Sequence, residues 1–360
     1  MIVRVAIENE YQLQGDQGEG IPMKGWKNKT IAAAAAILML VALAACGSAK
    51  EKTDAPSASP TPTAATATKS AEPSQETGKE SEEETRIVKD EFGEVEVPVH
   101  PKRVVGVYVE DYLKALGVTP VAQWYHPLWG KQDYLNLDVP LFDMTGSIEA
   151  LLAHDPDLII VDGAADKEKY EQYSKIAPTV RLPENVLASS RDILRSVADA
   201  LNTPEKADSV IAQYEQKIAD AKAKLESAIG KETVAVIRLN VGEKTLALFG
   251  VRNRYTGMLY SEFGLEPPKM VKEMTEFQSI LSEEAIPNLD FDHIIFLTSN
   301  GSWDSPENQE DIEGLNSPLW KTVPAFKKGN IYKVERSHWQ SGAITANGMK
   351  LDDLTRLLVK

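Results

Sequence analysis

A single cysteine, Cys46, is all the thiol chemistry in a chain of 360 residues. One thiol excludes an internal disulfide and any cysteine-based metal site. Positive charge is also scarce: 39 Lys and Arg stand against 54 Asp and Glu, a net charge of −15. Phosphate backbones are held by basic faces, so nucleic acid is excluded as a partner. Motifs of the common enzyme classes are missing too. There is no GxGxxG after a strand, no GxxxxGKS/T, no GxSxG and no HExxH. The five histidines (His100, His126, His154, His293 and His338) form no i,i+4 pair, which disfavours direct ligation of a bare transition metal. With no nucleophile beside a base, the chain reads as a binding protein and not as an enzyme.

What is present is organised around residues 203–229, TPEKADSVIAQYEQKIADAKAKLESAI, whose pattern predicts one helix. Thr203 suits the N-cap and Pro204 the first helical position, where a missing N–H is harmless. Val210, Ile211, Tyr214, Ile218, Ala221 and Leu225 recur at the three-and-four spacing of one apolar stripe. Gly230 ends the helix, which at its ordinary rise spans roughly 40 Å.

A repeat is placed evenly about that helix. Glu149 opens EALLAHDPDLIIV and Glu284 opens EAIPNLDFDHIIF, and the two align without a gap. Asp155 then matches Asp290, Asp157 matches Asp292, and Ile159 and Ile160 match Ile294 and Ile295. Each copy predicts a short helix, an acidic turn and a buried strand of a parallel sheet. The expected fold is therefore α/β, with two Rossmann-like lobes (86–202 and 230–360) joined by a single long rigid helix (203–229). The four aspartates are expected to be turn residues. Glu149 and Glu284 each open a surface helix, where the helix N-terminus favours a carboxylate. Alternatively, two equivalent lobes present two equivalent carboxylates to a two-fold partner.

Upstream, Met23 starts a basic segment with Lys24, Lys27 and Lys29. An apolar run of about a dozen residues and a small-residue cleavage zone follow. The run is short for a membrane-spanning helix, which needs roughly 20 residues. Leu43-Ala44-Ala45-Cys46 resembles the bacterial lipobox, which implies cleavage before Cys46 and diacylglycerol on its thiol. Residues 23–45 are thus expected to be a lipoprotein signal peptide. Residues 1–22 match no part of such a signal and are expected to be a spurious extension before a start at Met23. From the lipidated Cys46 to residue 85 the chain is Ala, Ser, Thr, Pro, Lys and Glu without an aromatic. That composition predicts a disordered tether with a reach of roughly 30–40 Å.

Ligands of open α/β sheets bind beyond the carboxyl ends of the strands. Strands expected at 104–109, 118–123, 158–161, 233–239, 245–249, 293–297 and 330–334 place a distinctive set there. Tyr108, Trp124, Trp129, Arg238, Arg252, Arg254, Trp303 and Trp339 are the candidate ligand-binding residues. Aromatic faces with a few guanidinium groups suit a bulky, partly apolar guest that presents oxygen edges. Any one of these rings is equally suited to a lobe core.

From Arg86 to Lys360 the chain resembles the iron-siderophore family of substrate-binding proteins of ABC transporters. The resemblance is carried by GEVEVPVHPKRVV, DYLKALGVTPV, SIEALLAHDPDLII, KIAPTV, ILSEEAIPNLDFDHIIF and VPAFKKGNIYKV. It implies two α/β lobes bridged by a stiff helix, little lobe movement, and a monomer on the extracellular face of the cell membrane. It implies a ferric siderophore as guest, with iron held by the siderophore's own oxygens and no cofactor or protein metal ligand. A cobalamin or haem receptor uses the same scaffold. The LFGVRNRYTGMLY segment is similar to that of lipid-anchored ferric-hydroxamate receptors, and Arg254 matches their ligand-contacting arginine. Trp339 falls at their aromatic position near the C-terminus. At Arg252 those receptors carry tryptophan instead, and an added guanidinium favours carboxylate or catecholate oxygens. The resemblance also implies that Glu149 and Glu284 meet arginines of a two-fold ABC permease.

Overall fold

In the computed structural model the described residues are 84–127, 130–145 and 148–359. The signal peptide, Cys46, nearly all of the tether, and Trp129 lie outside them. A hairpin of β1 (Thr85–Lys89) and β2 (Glu94–Pro98) precedes β3 (Val104–Val107). A short parallel pair follows, β4 (Gln123–Tyr125) and β5 (Leu141–Asp143). With β6 (Leu158–Val161) and β7 (Thr179–Arg181), β3 makes a parallel sheet in the order β3-β6-β7. The second lobe carries β8 (Val234–Asn240), β9 (Thr245–Phe249), β10 (Gln278–Leu281), β11 (His293–Thr298) and β12 (Ile331–Lys333). Their order is β10-β9-β8-β11-β12, with β8, β11 and β12 parallel and the β9–β10 edge antiparallel.

Alternation along the strands explains the layering. Val104, Leu158 and Ile160 face one side of the first sheet, and Val105, Ile159 and Val161 face the other. In the second sheet Val234, Val236, Ile295 and Leu297 share one side, and Ala235, Ile237, Ile294 and Phe296 the other. Successive strand side chains point oppositely, and sheets covered on both faces read as continuous apolar runs. One side of each sheet packs into a single shared core, and the other side has a core of its own.

The helix Pro204–Ile229, 26 residues long, supplies Ala207, Ile211, Tyr214, Ala221, Leu225 and Ile229 to that shared core. Val210 and Ile218 lie at its margin, partly buried. The C-terminal helix Ile344–Leu358 packs beside it, and Lys217 Nζ meets Asp352 Oδ2 at 2.6 Å. Tyr214 meets Arg191 of the first lobe and Glu262 of the second, and all described residues fall in one compact unit.

Several local expectations are corrected. Thr203 makes no capping hydrogen bond; its Oγ1 is buried without a partner. The strand expected at 118–123 is displaced to Gln123–Tyr125, since Pro120 cannot donate to a ladder. The terminal helix begins at Ile344, seven residues before the expected Leu351, because its first turn is capped from another part of the chain (below). Glu284 lies in a 3-10 turn, Glu283–Asn288, and Glu149 in a one-turn α-helix, Glu149–Leu152.

The repeat has a structural meaning. Asp157 accepts the backbone N–H groups of Lys102 at 2.7 Å and Arg103 at 2.9 Å, just before β3. Asp292 accepts from the N–H of Thr233 at 3.0 Å and its hydroxyl at 3.1 Å, just before β8. In each lobe the carboxylate ahead of one strand clasps the start of its parallel neighbour. That satisfies backbone donors which the sheet leaves open at its edge.

Candidate functional site

The strand ends of both lobes converge on one cavity of about 470 Å³. From the first lobe, Tyr108 turns out of β3 with φ of +64°, a left-handed conformation uncommon outside glycine. Its ring lies 4.6 Å from that of Trp124, and its hydroxyl reaches Met144 Sδ at 3.1 Å. Trp124 is anchored from behind by Glu110, which accepts the indole N–H at 3.0 Å and the backbone N–H at 3.3 Å. Burial pushes the Glu110 carboxyl up to about 8, in spite of these hydrogen bonds. Asp162, the residue after β6, lines the same cavity. Its carboxyl is also raised by burial, with the Arg254 charge opposing.

The second lobe contributes the loop after β9. Asn253 folds it, accepting the N–H of Tyr255 at 2.9 Å and donating to Phe277 O at 3.3 Å. The turn is tight enough that a Cβ on Gly257 would stand 2.5 Å from Val251 O. A Cβ on Gly342 would likewise stand 2.6 Å from Arg254 O, so only glycine lets the chain pass there. This loop directs Arg252 and Arg254 to the cavity wall. Arg252 donates to Thr275 O at 3.2 Å, and Arg254 lies over the Tyr255 ring at 5.5 Å. Across the gap, Arg254 Nη2 is 3.9 Å from Asp162 Oδ2.

Of the eight candidates, Tyr108, Trp124, Arg252 and Arg254 line this cavity, and Trp129 lies outside the described residues. The remaining three stand elsewhere. Arg238 is buried on β8, over the Phe249 ring and 2.9 Å from Asn240 Oδ1. Trp303 gives its indole N–H to Val334 O at 2.9 Å and packs on the outer core of the second lobe. Trp339 is fully buried in the shared core, its N–H held by Asp353 Oδ2 at 2.9 Å. Arg238 and Trp339 are buried and Trp303 is partly buried, and the polar edge of each has an internal partner.

Asp162 and Arg336 also line the cavity and were not among the candidates. Both sit in strand-exit segments, VDGAAD and ERSHWQSG, so the strand-end rule would have found them. Arg336 donates to Ser299 O at 2.9 Å. Glu149 and Glu284 are exposed, away from the cavity lining. Glu284's carboxyl is held below its ordinary value by its own backbone N–H and by Ser282. No group of three His, Cys, Asp or Glu side chains able to hold a metal occurs among the described residues. Nor is any described helix long and apolar enough to cross a membrane.

Comparison with known proteins agrees with this architecture. The sequence model of the periplasmic binding protein family matches residues 108–336. The "Probable siderophore-binding lipoprotein YfiY" of Bacillus subtilis is 31% identical over 299 residues, covering 78% of this chain and 90% of that one. The iron(3+)-hydroxamate-binding protein FhuD of the same organism is 32% identical over 268 residues, covering 70% and 79%. Among solved structures, a FhuD fold-family periplasmic binding protein component of a Fep/Fec-like ferrichrome ABC transporter from Bacillus subtilis superposes with a TM-score of 0.64. It is 28% identical and is matched over 76% of this chain and 100% of its own. With its two α/β lobes, its strand-end cavity and a family match spanning well over half its length, this chain belongs to the periplasmic binding protein family.

Proposed function

We propose that the protein is the capture component of an ABC importer, a lipid-anchored substrate-binding protein that takes up a ferric siderophore, hydroxamate favoured. The observation that carries this reading is the cavity itself, with Tyr108 and Trp124 on one wall and Arg252 and Arg254 on the other. Rings cover the apolar body of such a guest, and guanidinium forks hold the oxygens at its rim. Iron is cargo here, carried inside the chelate. The relatives YfiY and FhuD are named for binding a siderophore and an iron(3+)-hydroxamate, which supports an iron chelate over cobalamin or haem. Nanomolar capture corresponds to about −12 kcal/mol. Two or three charge-assisted hydrogen bonds of roughly 1.5–3 kcal/mol each, with buried aromatic area, are enough for that.

In the same reading Cys46 carries the lipid that keeps the monomer on the extracellular face of the membrane. Glu149 and Glu284 then engage a two-fold permease. Tryptophan quenching against ferric hydroxamates, ferric catecholates, ferric citrate and cobalamin tests the capture step. Saturable quenching by a ferric hydroxamate at sub-micromolar concentration is expected. Silence from every ferric complex would remove iron from the account.

A further inference from the structure

Asp162 is 7% exposed and turns towards the cleft from the first lobe. Its Oδ1 accepts the N–H of Ala164 at 2.9 Å, while Oδ2 faces Arg254 of the second lobe at 3.9 Å. The charged groups along the cavity are Lys131, Arg252, Arg254 and Arg336 on one side of the balance, Asp162 and Glu262 on the other. Glu262 is engaged at the rim by Arg191 at 3.0 Å and the Tyr214 hydroxyl at 3.3 Å. Arg181, the other cation near Asp162, is held by the carbonyls of Gly163, Ala165 and Leu182 and by Glu184. Asp162 is therefore the carboxylate set opposite the guanidinium to which a guest's oxygens are drawn.

We propose that Asp162 is a specificity-determining residue of the cleft, an internal counter-ion to Arg254 that selects guests by charge. The inference rests on the capture of a ferric chelate proposed above and refines it. An oxygen that reaches Arg254 also comes within range of Asp162. A guest with net negative charge therefore meets repulsion there in poorly hydrated surroundings, whereas a neutral chelate such as a ferric trihydroxamate does not. The three arginines attract oxygen edges in general. Asp162 adds the repulsive element that separates one class of oxygen-bearing chelate from another.

The test compares dissociation constants for a neutral ferric trihydroxamate and for ferric citrate, by tryptophan quenching, in wild type and Asp162→Asn. Asparagine keeps the shape and the bond from Ala164 while removing the charge. Preference is expected to move towards ferric citrate by about tenfold or more, including the appearance of citrate-complex binding where wild type shows none. Asp162→Glu is expected to restore the wild-type order. A merely structural role would weaken both chelates alike, so a ratio that moves less than about twofold overturns the inference. A wild type that prefers ferric citrate overturns it as well. Should Asp162→Asn not fold, Asp162→Ser carries the same comparison. If wild type binds neither chelate, the capture reading falls and takes this inference with it. If wild type binds and the ratio stays put, the inference alone falls.

Discussion

Asp111, in the first lobe, accepts the backbone N–H of Thr345 at 2.9 Å, across 234 residues of sequence. Its other oxygen accepts from Ala346 at 3.1 Å and from the Tyr134 hydroxyl at 2.8 Å. Ala343, at the N-cap position of the terminal helix, has no side chain able to do this. The cap is supplied from the opposite lobe. Asp111→Ala is expected to lower stability by about 2–3 kcal/mol, since two helix donors, one buried and one half-buried, lose their partner. Asp111→Asn should recover part of it. A denaturation midpoint unmoved in Asp111→Ala would refute the role.

Glu110, behind Trp124, sets a pH dependence. Its folded value of about 8 stands above the 4.5 of a free side chain, so the folded state binds the extra proton between those limits. The unfolded chain binds fewer protons in that window, and stability falls as pH rises from about 4.5 to 8. Glu110→Gln is expected to flatten this fall, raising the thermal midpoint relative to wild type at pH 8.5 more than at pH 5. Parallel profiles for the two proteins would show that Glu110 does not titrate in this way.

Trp339 and Arg254 are expected to part company under mutation. Against the upward push of burial, hydrogen bonds from His338, Trp339 and Arg356 bring the Asp353 carboxyl down to about 2. Stability from this cluster is present above about pH 4 and lost as pH falls towards 2. Asp353→Asn should cost about 2 kcal/mol at pH 7, and Trp339→Phe about 1–2 kcal/mol, from one buried hydrogen bond and lost volume. Neither should change chelate affinity more than about twofold, since neither residue lines the cavity. Arg254→Ala should weaken binding about tenfold or more. Titration and thermal melts on the three variants check the division.

The docking role proposed for the exposed Glu149 and Glu284 concerns the delivery step. Replacing both with Ala is expected to leave chelate binding by the purified protein unchanged and to abolish uptake in cells. Undiminished uptake of labelled chelate by the double variant would remove them from permease docking.

Much of the architecture was legible because it is local and periodic. Runs such as LIIV and IIFL are apolar at every position, as strands between two cores must be. The spacer helix carries its stripe and its glycine stop within one stretch of chain. Strand-end logic likewise led to Tyr108, Trp124, Arg252 and Arg254, all on the cavity wall. Trp339, Trp303 and Arg238 were illegible for a common reason. The indole N–H groups of Trp339 and Trp303 are held by partners distant in sequence, and Arg238 is covered by Phe249 of the neighbouring strand.

From its residues alone, the chain determined that two α/β halves would flank a helix and that rings and guanidinium groups would gather at their strand ends. Which of those groups line the cavity was decided only when the lobes packed on their shared core, because a side chain's direction depends on neighbours that sequence spacing does not reveal. The opposition of Asp162 to Arg254, 3.9 Å apart from different lobes, is such a decision.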